Sequence, residues 1–344
     1  MSNERIIVWD LLKLFAIFLV VWGHCMQHLL QLPTNENSVF LWISSFHMPL
    51  FMCLSGLFAE RTFKRPFKDY MLKRSRQLLL PWISWSVILL FVAFLLGEKM
   101  VAKDIEGLLF NSLWFLKSLF VCGLLALIGF KPKGNRILWV IISVLLSQIF
   151  IFWNVFTMYP CFLLGILCAK KMKWLKQYSK IIAIVSGIIF LVMSIIAANS
   201  PSFWMRDLGI RAMLFNGNMS ISKSSHLLVS IALVRYAQVF MGCMGAVFFM
   251  TLFRCLFSNN KDILANKIAR FGQFTLGIYV IQTLLVETIM PYLYSVDLQY
   301  SSVFNWIIAP CISVSIVYIS AYINMLIENR GGYLPLILFG KMIK

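Results

Sequence analysis

The sequence predicts an all-α protein, a polytopic transmembrane helical bundle of about ten helices that forms a single domain over residues 1–344. Hydrophobic residues make up 60% of the chain and charged residues 13%, and the mean hydropathy is +0.84. A soluble domain of this length could not bury so much apolar surface. The apolar residues also recur in stretches of roughly 20, the length that spans the hydrocarbon core of a bilayer.

The individual spans follow from these apolar stretches and the polar breaks between them. The predicted spans are 7–30, 39–60, 77–97, 113–130, 136–154, 155–170, 181–199, 227–253, 270–290 and 302–327. The fifth and sixth form one long stretch, interrupted only by Asn154 and the Tyr159-Pro160 step, so a re-entrant hairpin is an alternative there. The eight cysteines show neither metal-like nor disulfide-like spacing, so most should be buried, unreactive thiols and no metal site is expected.

The basic residues behind the net charge of +18 are unevenly distributed between the two sets of alternate loops. Of the 31 Lys and Arg residues, 23 fall on one set of alternate loops, 5 on the other set and 3 inside helices. This bias predicts an even number of spans with both termini in the cytoplasm. It indicates contact with anionic membrane lipids or with an anionic cytosolic ligand, and argues against nucleic acid. The longest loop on the poorly charged side, 200–225, is either an external lid or a solvated connector.

Charged and titratable side chains inside a span are costly and commonly functional. The first span carries Asp10, Lys13, His24 and, one turn further, His28. Lys13 and His24 are eleven residues apart and share one helix face, roughly 16 Å apart along the axis. Asp10 lies within ion-pair reach of Lys13. Asp10, Lys13 and His24 are therefore candidate catalytic residues, although Lys13 could instead extend to the headgroups and His24 could be a packing residue.

Two further titratable side chains are predicted in the external half of the bilayer. His47 should lie near the depth of His24 on the antiparallel second span, although a buried imidazole beside Pro49 is the structural alternative. Glu287 could orient a histidine or an acceptor hydroxyl, and an ion pair with Arg235 is its alternative. We therefore count His47 and Glu287 as catalytic candidates and Arg235 as a substrate-binding candidate.

Cations near the two membrane surfaces indicate binding sites. Lys73 and Arg76, spaced i,i+3 before Pro81, suit a phosphorylated ligand from the cytosol, whereas Arg74 suits a role in topology. Trp114 is a candidate substrate contact or an interface anchor. Lys117 could polarise a substrate oxygen or extend to the headgroups.

These residues resemble the motifs of the acyltransferase family 3 membrane proteins. Lys13-x10-His24 is similar to the Arg/Lys-x10-His signature of the family, and Lys73-x-x-Arg76 is similar to its basic pair at the third helix. The segments 46–56 and 113–116 resemble the fucose 4-O-acetylase-like branch. Two departures are Gln282, where many relatives would carry histidine, and Lys117, where a neutral residue is expected.

The resemblance implies a membrane O-acyltransferase of the bacterial inner membrane. It would move an acetyl or other acyl group from cytosolic acyl-CoA to a hydroxyl of a cell-surface or lipid-linked glycan, with acetyl-CoA as a substrate and no permanently bound cofactor. Lys13, Lys73 and Arg76 would hold the donor phosphates, and His24 would act as general base or as acyl carrier. The alternatives are a secondary transporter or flippase, and a non-catalytic scaffold.

Overall fold

The computed structural model describes most of the chain. The described residues are 3–30, 37–63, 65–97, 102–130, 135–149, 152–200, 203, 221–257, 263–293 and 302–341. Over these ranges the secondary structure is helical and contains no strand. The loop predicted at 200–225, with Trp204, Arg206, Asp207 and Arg211, lies almost wholly outside them. The prediction of an all-α membrane bundle is confirmed.

Sixteen α-helices and five short 3₁₀ or π segments that join or extend them make up this part of the chain. They are α1 (Asn3–Leu29), α2 (Ser38–Phe63), α3 (Phe67–Arg74), α4 (Leu80–Leu95), α5 (Ala102–Phe110), α6 (Trp114–Phe130), α7 (Arg136–Ile149), α8 (Val155–Lys170), α9 (Met172–Gln177), α10 (Ser179–Ala198), α11 (Ile221–Phe257), α12 (Ile263–Ala269), α13 (Thr275–Gln282), α14 (Met290–Leu293), α15 (Ala309–Arg330) and α16 (Leu334–Phe339). The π segments are Ser75–Leu79, Thr283–Ile289 and Phe304–Ile308, and the 3₁₀ segments are Phe152–Asn154 and Arg270–Phe274.

The number of candidate spans is close to the predicted number of about ten. Within the described residues, 8 helices are long and apolar enough to cross a membrane, and two shorter apolar helices occupy the fourth and fifth predicted spans. The fifth and sixth predicted spans are separate helices, α7 and α8. Trp153 and Asn154, which precede α8, have φ angles of 55° and 53° in the left-handed region, so neither helix continues through them.

Several boundaries differ from the sequence prediction. The third span begins at Phe67, ten residues earlier than predicted, because α3 runs through the π segment at Ser75–Leu79 into α4. α5 was not predicted, since nine residues that include Lys103, Asp104 and Glu106 do not resemble a span. α11 has 37 residues and is roughly 55 Å long, well beyond the thickness of the hydrocarbon core.

α1 and α2 form the inside of the bundle. In these two spans 61% and 78% of the most apolar window is buried, against 22–50% in the other long spans. α1 is surrounded by α2, α11, the α12–α14 segment and α15. α2 packs most extensively on α8, through Gly56 against the carbonyl of Phe162 and Gly165 against the carbonyl of Cys53. Small residues at such crossings let two membrane helices approach closely.

α16 closes the end of the bundle at which α1 begins. Trp85 in α4 donates a hydrogen bond of 2.9 Å from its indole nitrogen to the carbonyl oxygen of Leu338. Gly340, with φ of 64°, follows α16 and lies against the backbone of Arg76 and Gln77. The ammonium of Lys341 pairs with the carboxylate of Glu328. The segment from Leu334 to Lys341 therefore holds α4, the first π segment and α15 together.

The eight cysteines are all free, as the sequence indicated. Five of them are buried and two half-buried, and Cys311 is exposed. Their burial among apolar side chains fits a packing role.

Candidate active site

The side chains of His24 and Glu287 meet between α1 and the second π segment. Nδ1 of His24 lies 2.6 Å from Oε1 of Glu287, and each side chain keeps 23% of its surface exposed. Nδ1 has no well-directed hydrogen bond, so the carboxylate oxygen is close but lies off the ring N–H direction. Hydrogen bonds of catalytic groups are often poorly aligned before substrate binds. The pair can hold an imidazole in one orientation while leaving it open to a reactant.

Glu287 is positioned by its own helical segment. Its Oε1 accepts hydrogen bonds from Nε2 of Gln282 at 3.2 Å and from Oγ1 of Thr283 at 3.0 Å. These three residues lie in or next to the π turns of Thr283–Ile289, and π segments inside α-helices are frequent at functional sites. The wider turn brings residues five apart, Gln282 and Glu287, to one side of the helix.

Gln282 therefore belongs to the site, although it stands where a histidine was expected. An amide N–H can orient a carboxylate without accepting a proton from it, so Gln282 supports Glu287 rather than replacing a base. Thr283 was missed by the sequence analysis. The signal for it was its place four residues before Glu287, on the same helix face.

His28 lies beside His24 and completes a cluster of three titratable side chains with His24 and Glu287. The two rings stack with their centroids 5.8 Å apart and an interplanar angle of 25°. One ligand-type atom from each of His24, His28 and Glu287 lies within 4.8 Å of the others. The i,i+4 spacing on α1 brings the two rings to one face, and the π segment adds the carboxylate.

Asp10 and Lys13 form a separate pair at the other end of α1. Nζ of Lys13 lies 2.9 Å from Oδ1 of Asp10 and 5.1 Å from the ring centroid of Phe58. Asp10 is buried, and its backbone packs against Gly272. Asp10 is fourteen residues from His24, roughly 21 Å along the helix, so the Asp10–Lys13 pair lies apart from His24.

The helix face between Lys13 and His24 is closed in this structure. Ile17 and Val20 are each only 1% exposed and belong to the main apolar core. The sequence analysis placed Lys13 and His24 on one helix face, which also contains Ile17 and Val20. Packing by the surrounding helices divides this face into an inner ion pair and an outer histidine site.

His47 is buried in α2 and is not part of the cluster of His24, His28 and Glu287. Its Nδ1 lies 2.7 Å from the carbonyl oxygen of Ile43, one turn earlier in the same helix. Pro49 removes an N–H from this helix, and Gly242 of α11 packs against Pro49 and the carbonyl of Ser45. The local geometry is that of an imidazole beside a proline interruption.

Lys117 is buried and fully engaged by the backbone. Its Nζ donates hydrogen bonds to the carbonyl oxygens of Leu109, Phe110 and Ser112 at 3.3, 2.6 and 2.9 Å. It also lies 4.9 Å from the ring centroid of Trp82 and 5.4 Å from that of Trp153. A cation at the C-terminal end of α5 neutralises the carbonyls exposed there. This environment favours a structural role for Lys117 over contact with substrate.

The other predicted binding residues lie in different parts of the bundle. Trp114 is partly buried at the start of α6, and its neighbour Phe115 contacts the ring of Tyr279 on α13 at a centroid distance of 6.0 Å. The guanidinium of Arg235 lies 4.7 Å from the ring centroid of Phe156. Phe115, the neighbour of Trp114, thus contacts the helix that precedes the π segment with Glu287.

Lys73 and Arg76 lie on one continuous helical stretch. Lys73 is in the last turn of α3 and Arg76 in the π segment, and both are half-buried. Between them, Arg74 lies with its guanidinium 5.8 Å from the ring centroid of Tyr70. By chain connection this stretch is at the end where α1 begins, as Lys13 is.

Comparison with known proteins gives matches along nearly the whole chain. The nodulation protein NolL of Mesorhizobium japonicum is 26% identical over 360 residues, covering 96% of this chain and 89% of that protein. The nodulation protein NolL of Sinorhizobium fredii is 35% identical over 128 residues, covering 33% of this chain and 34% of that protein. No solved structure matches. The sequence model of the acyltransferase 3 family, described as "Acyltransferase domain", matches residues 6–325, so the chain belongs to this family and is a membrane acyltransferase.

Proposed function

We propose that the protein transfers an acetyl group from cytosolic acetyl-CoA to a hydroxyl of a cell-surface or lipid-linked glycan. The observation that carries this proposal is the contact of His24 with Glu287, 2.6 Å apart in the interior of a membrane acyltransferase. A histidine held by a carboxylate is the arrangement that acyl transfer to a hydroxyl requires.

In the general-base route, Nε2 of His24 takes the proton of the acceptor hydroxyl. The oxygen then forms a bond with the acetyl carbonyl carbon, the C–S bond breaks, and the CoA thiolate leaves with the proton that His24 gives up. Because Nδ1 faces Glu287, Nε2 is the nitrogen left for this step. In the alternative route, Nε2 attacks the acetyl carbon first, the C–S bond breaks and CoA leaves as the thiolate. The acceptor hydroxyl then attacks the acetyl group on His24, the N–C bond breaks, and the hydroxyl proton passes to the CoA thiolate. Glu287 orients the ring in both routes.

The donor is proposed to approach from the end of the bundle where α1 begins. Lys13, Lys73 and Arg76 supply positive charge there, and charge-assisted hydrogen bonds to phosphate are the strongest polar contacts available to them. The acceptor is proposed to approach His24 from the opposite end, where Trp114 and Arg235 offer stacking and hydrogen bonding. In this scheme both termini face the cytoplasm of a bacterial cell, and the membrane is the inner one.

The test is acetyl transfer by the purified protein in detergent, followed as release of CoA thiol. His24→Ala should lower the rate by about two to four orders of magnitude, the usual loss for a general base. Its melting temperature and monodispersity should match those of the wild type. Near-normal transfer by a folded His24→Ala protein would move the assignment to His47. Saccharide transport by the protein reconstituted in vesicles, without any CoA release, would support a flippase instead.

A further inference from the structure

The candidate active site brings together nitrogen and oxygen atoms that could bind a metal ion. We propose that His24, His28 and Glu287 form a Zn²⁺ site at which the ion reversibly inhibits acyl transfer. The binding part of this inference is independent of the reaction, and the inhibition part rests on the proposed function of His24. Two imidazoles and one carboxylate are the ligand set of several zinc sites in proteins.

The geometry of the three side chains suits a small divalent ion. His24 and His28 are spaced i,i+4 on α1, which is the spacing with which one helix presents two histidines to zinc. A tetrahedral ion with bonds of about 2.0–2.1 Å to nitrogen needs donor atoms roughly 3.3–3.5 Å apart. One ligand-type atom of each residue lies within 4.8 Å of the others, and Nδ1 of His24 lies 2.6 Å from Oε1 of Glu287, so small side-chain rotations suffice.

The electrostatics and access of the site support the same conclusion. A carboxylate held by Gln282 and Thr283 provides negative charge and a fixed oxygen ligand. The side chains of His24 and Glu287 each keep 23% of their surface exposed, so an ion can reach them. Nδ1 of His24 has no well-directed hydrogen bond to give up. An ion held here occupies the imidazole and carboxylate on which the proposed proton transfer depends.

Zn²⁺ binding to the purified protein, measured by equilibrium dialysis, tests the site directly. The wild type should bind one ion, and His28→Asn should bind it at least tenfold more weakly, because even outer-shell changes cost about 10- to 100-fold in metal affinity. His47→Asn is the matched control and should bind Zn²⁺ with the affinity of the wild type. All three proteins keep the same eight cysteines, so any binding by thiols is common to them. Unchanged affinity in His28→Asn, or no bound ion in the wild type, would overturn the site.

Two further measurements keep the inference testable if His28→Asn folds poorly or the wild type shows no transfer. The nitrogen hyperfine lines of a Cu²⁺ complex of the wild type count coordinated imidazoles, since copper takes the same ligands more tightly. Two nitrogens support the cluster, and one or none contradicts it. In a transfer assay, the Zn²⁺ concentration for half-inhibition should rise at least tenfold in His28→Asn. Binding without inhibition would refute the inhibitory role while leaving the proposed activity of His24 untouched.

Discussion

At the scale of single residues, the pair of His24 and Glu287 divides the proposed chemistry between a reacting group and a positioning group. Glu287 contacts Gln282, Thr283 and His24, and no reactant is required to touch it. Its effect on the reaction therefore passes through the imidazole. A kinetic double-mutant cycle of His24 and Glu287 can therefore measure how far the effect of one residue depends on the other.

Glu287→Gln keeps the size of the side chain and removes its charge. We expect kcat to fall, by less than the two to four orders of magnitude lost with the base, while the KM for acetyl-CoA changes little. The double variant with His24→Ala should be no slower than His24→Ala alone, because Glu287 acts through the ring. Additive losses in this kinetic double-mutant cycle would show that Glu287 contributes elsewhere, for example to folding.

Lys117, unlike His24, is a charged residue whose contacts with backbone carbonyls favour a role in stability rather than in the reaction. Lys117→Met keeps the length of the side chain but leaves buried carbonyls at the end of α5 without the ammonium. We expect a loss of about 1–3 kcal/mol in stability, seen as a lower melting temperature, because buried acceptors lose their partner. The KM for the acceptor should be unchanged in the folded protein. A raised acceptor KM at an unchanged melting temperature would restore Lys117 as a substrate contact.

At the scale of helices, the crossing of α2 and α8 depends on two glycines. A Cβ at Gly165 would overlap the carbonyl of Cys53, and one at Gly56 the carbonyl of Phe162. Gly165→Ala should therefore force the helices apart and destabilise the bundle by about 1–3 kcal/mol.

Gly107 in α5 is the matched control for this prediction. A Cβ there would meet nothing within 4 Å, so Gly107→Ala should gain stability by up to about 1 kcal/mol from helix propensity. Melting temperatures of the two variants in one detergent compare the effects directly. Equal shifts of the same sign would mean that the α2–α8 contact is looser than the structure shows.

The sequence predicted the membrane spans but not the interruptions within the helices. Apolar length predicted the spans because lipid imposes one thickness on all of them. The π segments at 75–79 and 283–289 have no comparable signal, since their register depends on packing against neighbouring helices. His24 and Glu287 were each recognised as costly intramembrane groups, but their contact spans more than 260 residues and is set by tertiary structure.

At the scale of the whole molecule, we propose that the two ends of the bundle bind different substrates. Lys13, Lys73 and Arg76 lie toward the end where α1 begins, and the histidine site lies toward the other end. Lys73→Ala and Arg76→Ala should raise the KM or Kd for acetyl-CoA more than for the acceptor, and added salt should mask the difference.

Arg74→Ala is the comparison for these two variants, because Arg74 lies over Tyr70 and serves helix packing. It should lower thermal stability more than it weakens donor binding. Binding of acetyl-CoA measured by calorimetry on all three variants, at two salt concentrations, separates the roles. Equal weakening by all three would indicate a general folding or topology effect rather than phosphate recognition.

The closure formed by residues 334–341 also has a consequence for biosynthesis. This late segment supplies the carbonyl that Trp85 binds and the glycine that packs on the backbone of Arg76 and Gln77. Earlier spans can enter the membrane and pair while the ribosome is still extending the chain. The end of the bundle where α1 begins can reach its final packing only after residues 334–341 have emerged, so the chain enters the membrane before the packing of this end is complete.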